Sequence, residues 1–285
     1  MIEAIDHIVI AVADLDAATA SYEALLGRTP SWRGRHPEYG TRNTLFRLDN
    51  AYVELLAAAS PAPAALASMV AEAVGKRQEQ VFALALRVAD LDAAVRALRG
   101  CGVRVSDPVC GEGTDERDCR RTWRNAWLDA NTCLGLRLFL IEHTSPADAL
   151  PPAGRSASEA SVCRSVDHVV IVSGDLPASL RFWEEVFGVA PRWQLEFAQR
   201  HTRNAGLMVA DIMIECLMRT DREARSNADR LWGLAYRVRD CAQAVARLRE
   251  AGIPADDPRP GLAPDTRVTT VRWPRTPTLL LGAND

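Results

Sequence analysis

The sequence predicts an α+β protein of four βαβββ modules forming two half-open mixed β-barrel domains. Three observations predict it. The chain is internally duplicated; each unit opens on an apolar strand, an acidic residue and an amphipathic helix that ends near glycine; and strand-length apolar stretches follow each helix.

The duplication organises the whole chain. DHIVIAVADLDAATASYEALLG from Asp6 aligns with DHVVIVSGDLPASLRFWEEVFG from Asp167, an offset of 161. The same offset pairs His7 with His168, Asp14 with Asp175, Tyr22 with Trp183, Gly27 with Gly188 and Trp32 with Trp193. It continues into Thr41-Arg42-Asn43 against Thr202-Arg203-Asn204, and Glu54 against Glu215. A second alignment, offset by 150, lays the segment from Phe82 on that from Trp232, with Asp90 on Asp240, Gly102 on Gly252 and Gly111 on Gly261. The chain therefore reads A, B, A′, B′.

Each element has a local reason. Asp14, Asp90, Asp175 and Asp240 stand where a helix wants an N-terminal acceptor, and Gly27, Gly102, Gly188 and Gly252 stand just past the last turn. Between these marks Leu15, Ala18, Tyr22, Leu25 and Leu26 recur at helical spacing, as do Leu176, Leu180, Trp183 and Phe187, and both sets read as core stripes. Stretches such as NTLFRL, AYVELLA, RNAWLD, LGLRLFLIE, LMVADIMIECL, TTVRW and TLLLG have the length and composition of strands. Residues 57–80, rich in alanine and carrying Pro61 and Pro63, are expected to link A to B through a short helix. The small, polar, proline-containing run from Ser145 has the composition of an interdomain linker. The expected domains are residues 1–145 and 163–285, joined by 146–162.

Composition narrows the function classes. At 285 residues and 48% hydrophobic, the chain can bury substantial cores without staples. A net charge of −3 gives no electrostatic reason to expect nucleic acid or an anionic membrane as partner. The seven scattered cysteines form no C-x-x-C pair and leave one over, which suggests neither a disulfide framework nor a zinc finger. The N-terminus lacks a signal-peptide pattern and no apolar run is long enough to span a bilayer, so a cytoplasmic protein is expected. The expected partner is a small-molecule substrate or ligand, with a homodimer left open.

The residues that carry chemistry sit in apolar strands. Strand periodicity puts His7 on one face with Ile5, Val9 and Ala11, and Ile8, Ile10 and Val12 on the other. Glu54 in AYVELLA and Glu215 in IMIECLM are carboxylates in mid-strand, which must be paired, protonated or bound to a metal. The repeat sets a His and a Glu in corresponding positions twice.

The run D-H-I-V-I-A-V-A-D-L-D, with G-R-H-P-E-Y-G-T-R-N and Y-V-E-L-L, resembles the vicinal oxygen chelate superfamily of glyoxalases and extradiol dioxygenases, in its glyoxalase-like branch. The resemblance covers essentially the whole chain. It implies that His7, Glu54, His168 and Glu215 are ligands of a divalent metal (Zn, Mn, Fe or Ni) in a lyase, isomerase or dioxygenase acting on an oxygenated substrate. A non-catalytic protein that binds or sequesters a small molecule on the same fold is the alternative. Modules B and B′ depart from the pattern: Ala83 and Gly233 replace the first-strand His, and at the end of the fourth strand B offers Glu142, followed by His143, whereas B′ offers Gly282. Duplication of an A–B unit favours A pairing with B and A′ with B′, whereas A pairing with A′ would assemble two His and two Glu. Under sequential pairing Glu142 is expected as third ligand or base. His36, with His201 as rough counterpart, could be a further imidazole or base. Asn43 and Asn204 could donate to a substrate oxygen, and Arg42 and Arg203 could bind a carboxylate. Trp32, Trp193, Tyr22 and Trp183 are read as packing residues.

Overall fold

The computed structural model describes residues 1–59, 64–221, 227–262, 265–272 and 276–283; Pro61, Pro63 and Trp273 lie outside the described residues. The first half runs β1 (Ala4–Val12), α1 (Leu15–Leu26), β2 (Arg28–Thr29), β3 (Trp32–His36), β4 (Thr41–Arg47), β5 (Tyr52–Ala58), α2 (Ala65–Val74), β6 (Glu79–Arg87), α3 (Leu91–Gly100), β7 (Val109–Asp115), β8 (Arg120–Trp127) and β9 (Leu138–His143). A short β10 (Gly154–Arg155) pairs back on β2. The second half runs β11 (Ser165–Val172), α4 (Leu176–Phe187), β12 (Pro191–Phe197), β13 (Thr202–Val209), β14 (Ile212–Arg219), β15 (Arg230–Arg237), α5 (Cys241–Glu250), β16 (Arg259–Pro260), β17 (Thr266–Val271) and β18 (Thr278–Ala283).

The capping logic holds at all four module starts. Asp14, Asp90, Asp175 and Asp240 have extended backbones, and their carboxylates accept from first-turn amides of α1, α3, α4 and α5. Gly27 and Gly188 end α1 and α4 in the left-handed region, which a Cβ would oppose. Helix α2 differs: Ala64 offers no side-chain acceptor at its start, and the helix is held by burying Ala67, Val70 and Val74. None of the described helices is long and apolar enough to cross a membrane.

Eight strands of the first half close into a barrel in the order β1-β5-β4-β3-β7-β8-β9-β6. Modules A and B join where β1 runs antiparallel to β6, and each module is closed internally by a parallel pair, β1 with β5 and β6 with β9. The final seam is short, Gly34 opposite Asp115 and Arg35 opposite Thr114. The second half repeats the plan as an eight-stranded sheet in the order β12-β13-β14-β11-β15-β18-β17-β16, with A′ joined to B′ through β11 and β15. Its outer strand β16 is two residues long and contains Pro260, which cannot donate to a further strand. Pairing is thus sequential, A with B and A′ with B′.

One feature of β1 departs from simple alternation. The register with β6 shifts between Ile5 and His7, so Asp6 is the extra residue of a β-bulge. The bulge reverses parity. Ile5 therefore joins Ile8, Ile10 and Val12 in the core beneath the helices, whereas Val9 and Ala11 share the barrel interior with Phe82, Phe139 and Ile141. The expectation that Ile5 shares a face with His7 is corrected accordingly. β11 carries the same shift between Val166 and His168.

The two halves are tied by backbone-directed polar groups. The Asn50 side-chain amide donates to Val166 O at 2.8 Å and accepts from Val166 N at 2.9 Å. Arg247 of α5 donates to the terminal carbonyls Ala24 O and Leu25 O of α1, groups that the helix itself leaves without partners. All seven cysteines are free thiols, and Cys133, Cys163, Cys216 and Cys241 are buried.

Candidate functional site in the first barrel

Inward-pointing side chains of the first barrel enclose a cavity of about 730 Å³, a size suited to a small organic ligand. β1 contributes His7 and Val9, β3 contributes Trp32 and His36, β4 Asn43, and β5 Tyr52 and Glu54. β8 supplies alternate residues, Arg121, Trp123, Asn125 and Trp127, and β9 supplies Phe139 and Ile141. Leu66 and Met69 of α2 also line the cavity. Gly111 and Gly113 of β7 leave room for the aromatic wall. A Cβ on Gly111 would meet the Trp123 indole at 2.4 Å.

The polar groups form a connected array. His7 Nδ1 lies 2.7 Å from Asp6 Oδ1 and His7 Nε2 lies 3.4 Å from Glu54 Oε2. Asn43 donates to Glu54 Oε1 at 2.8 Å. Behind His7, Asp6 also faces His143 Nε2 at 3.0 Å. The bulge makes this possible, since it turns Asp6 and His7 together. The His7 ring is stacked on Tyr52, with centroids 4.3 Å apart.

Burial and hydrogen bonding compete over these groups. Burial disfavours the charged form of His7, but the hydrogen bonds and charges of Asp6 and Glu54 outweigh it and raise its pKa. Burial would raise the Asp6 carboxyl; its hydrogen bonds with His143 and His7 hold it well below the usual carboxylate range instead. Glu54 is lowered against its burial chiefly by His7. His36 moves the other way, because burial lowers it toward the neutral imidazole. Its Nδ1 is 3.2 Å from Thr41 Oγ1 and its Nε2 is 3.3 Å from Asn43 Nδ2.

His36, Asn43, His7 and Glu54 are therefore brought together. Glu142 is not. The inward residues of β9 are Phe139 and Ile141, so alternation turns Glu142 outward, where Arg124 reaches it at 3.3 Å while holding Asp92 of α3 through two bonds of 3.0 Å. The expectation of Glu142 as third ligand or base is corrected by that one-residue difference in register. Arg42 and Arg203 are likewise exposed on the outer face, and Arg203 pairs with Glu196 at 3.0 Å. Trp32, read as packing, is part of the cavity wall.

The second half repeats the array. Asp167 Oδ1 is 2.7 Å from His168 Nδ1, His168 Nε2 is 3.4 Å from Glu215 Oε2, and Asn204 donates to Glu215 Oε1 at 2.6 Å. Its surroundings differ. Asp167 faces Arg237 at 2.6 Å where Asp6 faces a histidine, and Phe197 occupies the repeat position of His36. His201 is exposed in a left-handed turn. The Asp167 side chain is 18% exposed, against 5% for Asp6, so the second array is the wetter one.

The donor set for a metal can be counted from strand register. Val9 lies opposite Glu54 in module A, and Ala85 lies opposite Phe139 in module B. Module B thus offers Ala83 in place of His7 and Phe139 in place of Glu54. In the second half Gly233 and Leu279 stand in the same places. Each half sets one His and one Glu at the repeat's ligand positions, and no group of three or more His, Cys, Asp or Glu side chains able to hold a metal ion occurs among the described residues. Protein sites that retain a divalent metal for catalysis normally supply three ligands. One His–Glu pair in each half falls short of that number, so a resident metal would need ligands from elsewhere.

Asp6, His143, Arg121 and the aromatic residues of β8 were not singled out from the sequence. The β8 signal was available, since R-T-W-R-N-A-W from Arg121 places Arg121, Trp123, Asn125 and Trp127 on one face.

Residues 5–162 match the family described as Glyoxalase-like domain, and residues 167–270 match the Glyoxalase/Bleomycin resistance protein/Dioxygenase superfamily. The chain belongs to the glyoxalase-like family of the vicinal oxygen chelate superfamily. Among solved structures, a mutant of 4-hydroxymandelate synthase from Streptomyces coelicolor superposes with a TM-score of 0.68 at 14% identity, over 100% of this chain and 94% of that one. A hypothetical protein from Staphylococcus aureus gives 0.63 at 14% identity, over 97% and 98% of the two chains. BphC, a halotolerant catechol dioxygenase, gives 0.61 at 11% identity, over 100% and 87%. These likenesses show the fold. No curated protein matches the chain in sequence.

Proposed function

We propose that this chain is an enzyme of the vicinal oxygen chelate type that acts on a small, oxygenated, largely apolar molecule by proton transfer in the first barrel. The observation that carries this reading is the approach of His7 Nε2 to Glu54 Oε2, 3.4 Å apart on the wall of the aromatic cavity. Glu54, held ionised, is the base that takes a proton beside a substrate carbonyl, and Asn43 fixes its second oxygen. His7, whose pKa is raised by Asp6 and Glu54, donates to the substrate oxygen as negative charge develops there. Asp6 and His143 extend the hydrogen-bonded line behind His7 toward solvent, since the His143 side chain is 25% exposed. Isomerase and lyase chemistry need no more than this pair supplies.

A second reading rests on a specific feature. A carboxylate on His7 Nδ1, leaving Nε2 toward the cavity, is also how metal-bound histidines are oriented. In that reading His7 and Glu54 would be two ligands of Zn, Mn, Fe or Ni, and a chelating substrate would have to complete the shell.

The test uses 4-phenyl-2-butanone, a neutral ketone with an apolar ring. Loss of its proton signals next to the carbonyl is followed by NMR in D2O. Wild type is expected to accelerate exchange, and Glu54→Gln to lower that acceleration by about 100-fold or more. No acceleration by wild type, or full acceleration by Glu54→Gln, refutes the proton-transfer reading and leaves a protein that binds or sequesters its ligand.

A further inference from the structure

Arg121 reaches into the first barrel from β8 and is only 7% exposed. Its guanidinium lies 5.7 Å from the centre of the Trp32 ring and 5.5 Å from that of Tyr52. Asp6, His7, Glu54 and His143 are paired with one another within the array, but no carboxylate of the described residues forms an ion pair with Arg121. Glu54 shares the cavity, yet His7 and Asn43 hold both of its oxygens. His36 is turned toward its neutral form by burial. A second guanidinium, Arg137, is stacked at 5.0 Å over the Phe82 ring on the same wall, and Glu38 is exposed at the cavity edge.

Burying a cation without a counter-charge is unfavourable, and aromatic faces offset only part of that cost. A planar guanidinium in such a place matches a carboxylate, which it can hold through two parallel bonds. Two further groups lack partners. Asn125 Oδ1 and Asn43 Oδ1 are buried without a hydrogen bond, and both residues line the cavity. They are acceptors waiting for a donor.

We infer that the ligand of this cavity is a flat, mostly apolar carboxylate that also carries a hydroxyl or N–H group. Its acid group lies on Arg121, its donor on Asn125 or Asn43, and its ring against Trp32, Trp123 and Phe139. This names the ligand class for the site proposed above and rests on that cavity being the working one.

The experiment measures quenching of tryptophan fluorescence by three matched pairs: benzoate and benzamide, 2-naphthoate and 2-naphthamide, and biphenyl-4-carboxylate and its amide. Wild type is expected to bind at least one acid about tenfold more tightly than its amide, about 1.4 kcal/mol. Arg121→Gln should bring that ratio near one. A wild-type ratio near or below one in all three pairs overturns the inference, as does an undiminished ratio in Arg121→Gln. The wild-type ratios decide the matter even if the variant fails to fold. A carboxylate preference without ketone exchange would retain the anion site and reject the proton-transfer chemistry, so the two failures are distinguishable.

Discussion

Replacing Asp6 with alanine is expected to lower the free energy of unfolding by about 3–5 kcal/mol, the usual cost of removing one member of a buried ion pair. Asp6 is buried and serves two imidazoles, at 2.7 Å and 3.0 Å, so its loss strands both His7 and His143. Asp167→Ala provides an internal control. Its array has the same geometry, but Asp167 is 18% exposed and its partner Arg237 is 54% exposed, so water replaces the lost contacts and the loss should be smaller. The effect should also depend on pH. His7 has a raised pKa, so its contribution is complete below its ordinary value near 6.5 and fades as pH rises through the folded value. Asp6 has a depressed pKa, so its contribution is complete above its ordinary value near 4 and fades as pH falls toward the folded value. The gap between wild type and Asp6→Ala in urea unfolding should therefore be widest between about pH 4 and 6.5. A gap independent of pH would mean that Asp6 is not paired with a charged histidine.

His7→Gln is expected to abolish the acceleration of ketone exchange, by about 100- to 10,000-fold, while His168→Gln leaves it intact. The two histidines occupy equivalent repeat positions with identical 2.7 and 3.4 Å contacts, so local geometry does not separate them. Their settings do. His7 opens on a cavity walled by Trp32, Trp123 and Phe139, and its Asp6 is shared with a second imidazole, that of His143. His168 lies in an open sheet, with Asp167 shared by the permanently charged Arg237. Equal losses in both variants would contradict the assignment of the chemistry to the first barrel.

Short-range chemistry made much of this fold legible. The aspartate caps, the glycine ends and the core stripes are properties of a few adjacent residues, and the duplication multiplied each signal. The same duplication put His7 with Glu54 and His168 with Glu215 in matching strands, where each pair meets at 3.4 Å. What stayed hidden depends on register and closure. A bulge at Asp6 reversed the face of Ile5, and one position along β9 separates the inward Ile141 from the outward Glu142. Arg121 reads in sequence as one arginine among many. It becomes a buried cation only because barrel closure brings β8 across from Trp32 and Tyr52. Helix α2 was legible as a short linker helix, but its place against the cavity follows from long-range packing of Ala67, Val70 and Val74.

In the proposed chemistry His7 and Glu54 move protons and are not two ligands of a resident metal. Elemental mass spectrometry on protein purified without a histidine tag or chelator tests it most directly, in wild type and in His7→Ala and Glu54→Ala. Far less than one ion per chain is expected in wild type, with no change in either variant. A near-stoichiometric divalent metal in wild type that is lost from both variants would contradict it and establish the metal-bound reading in its place.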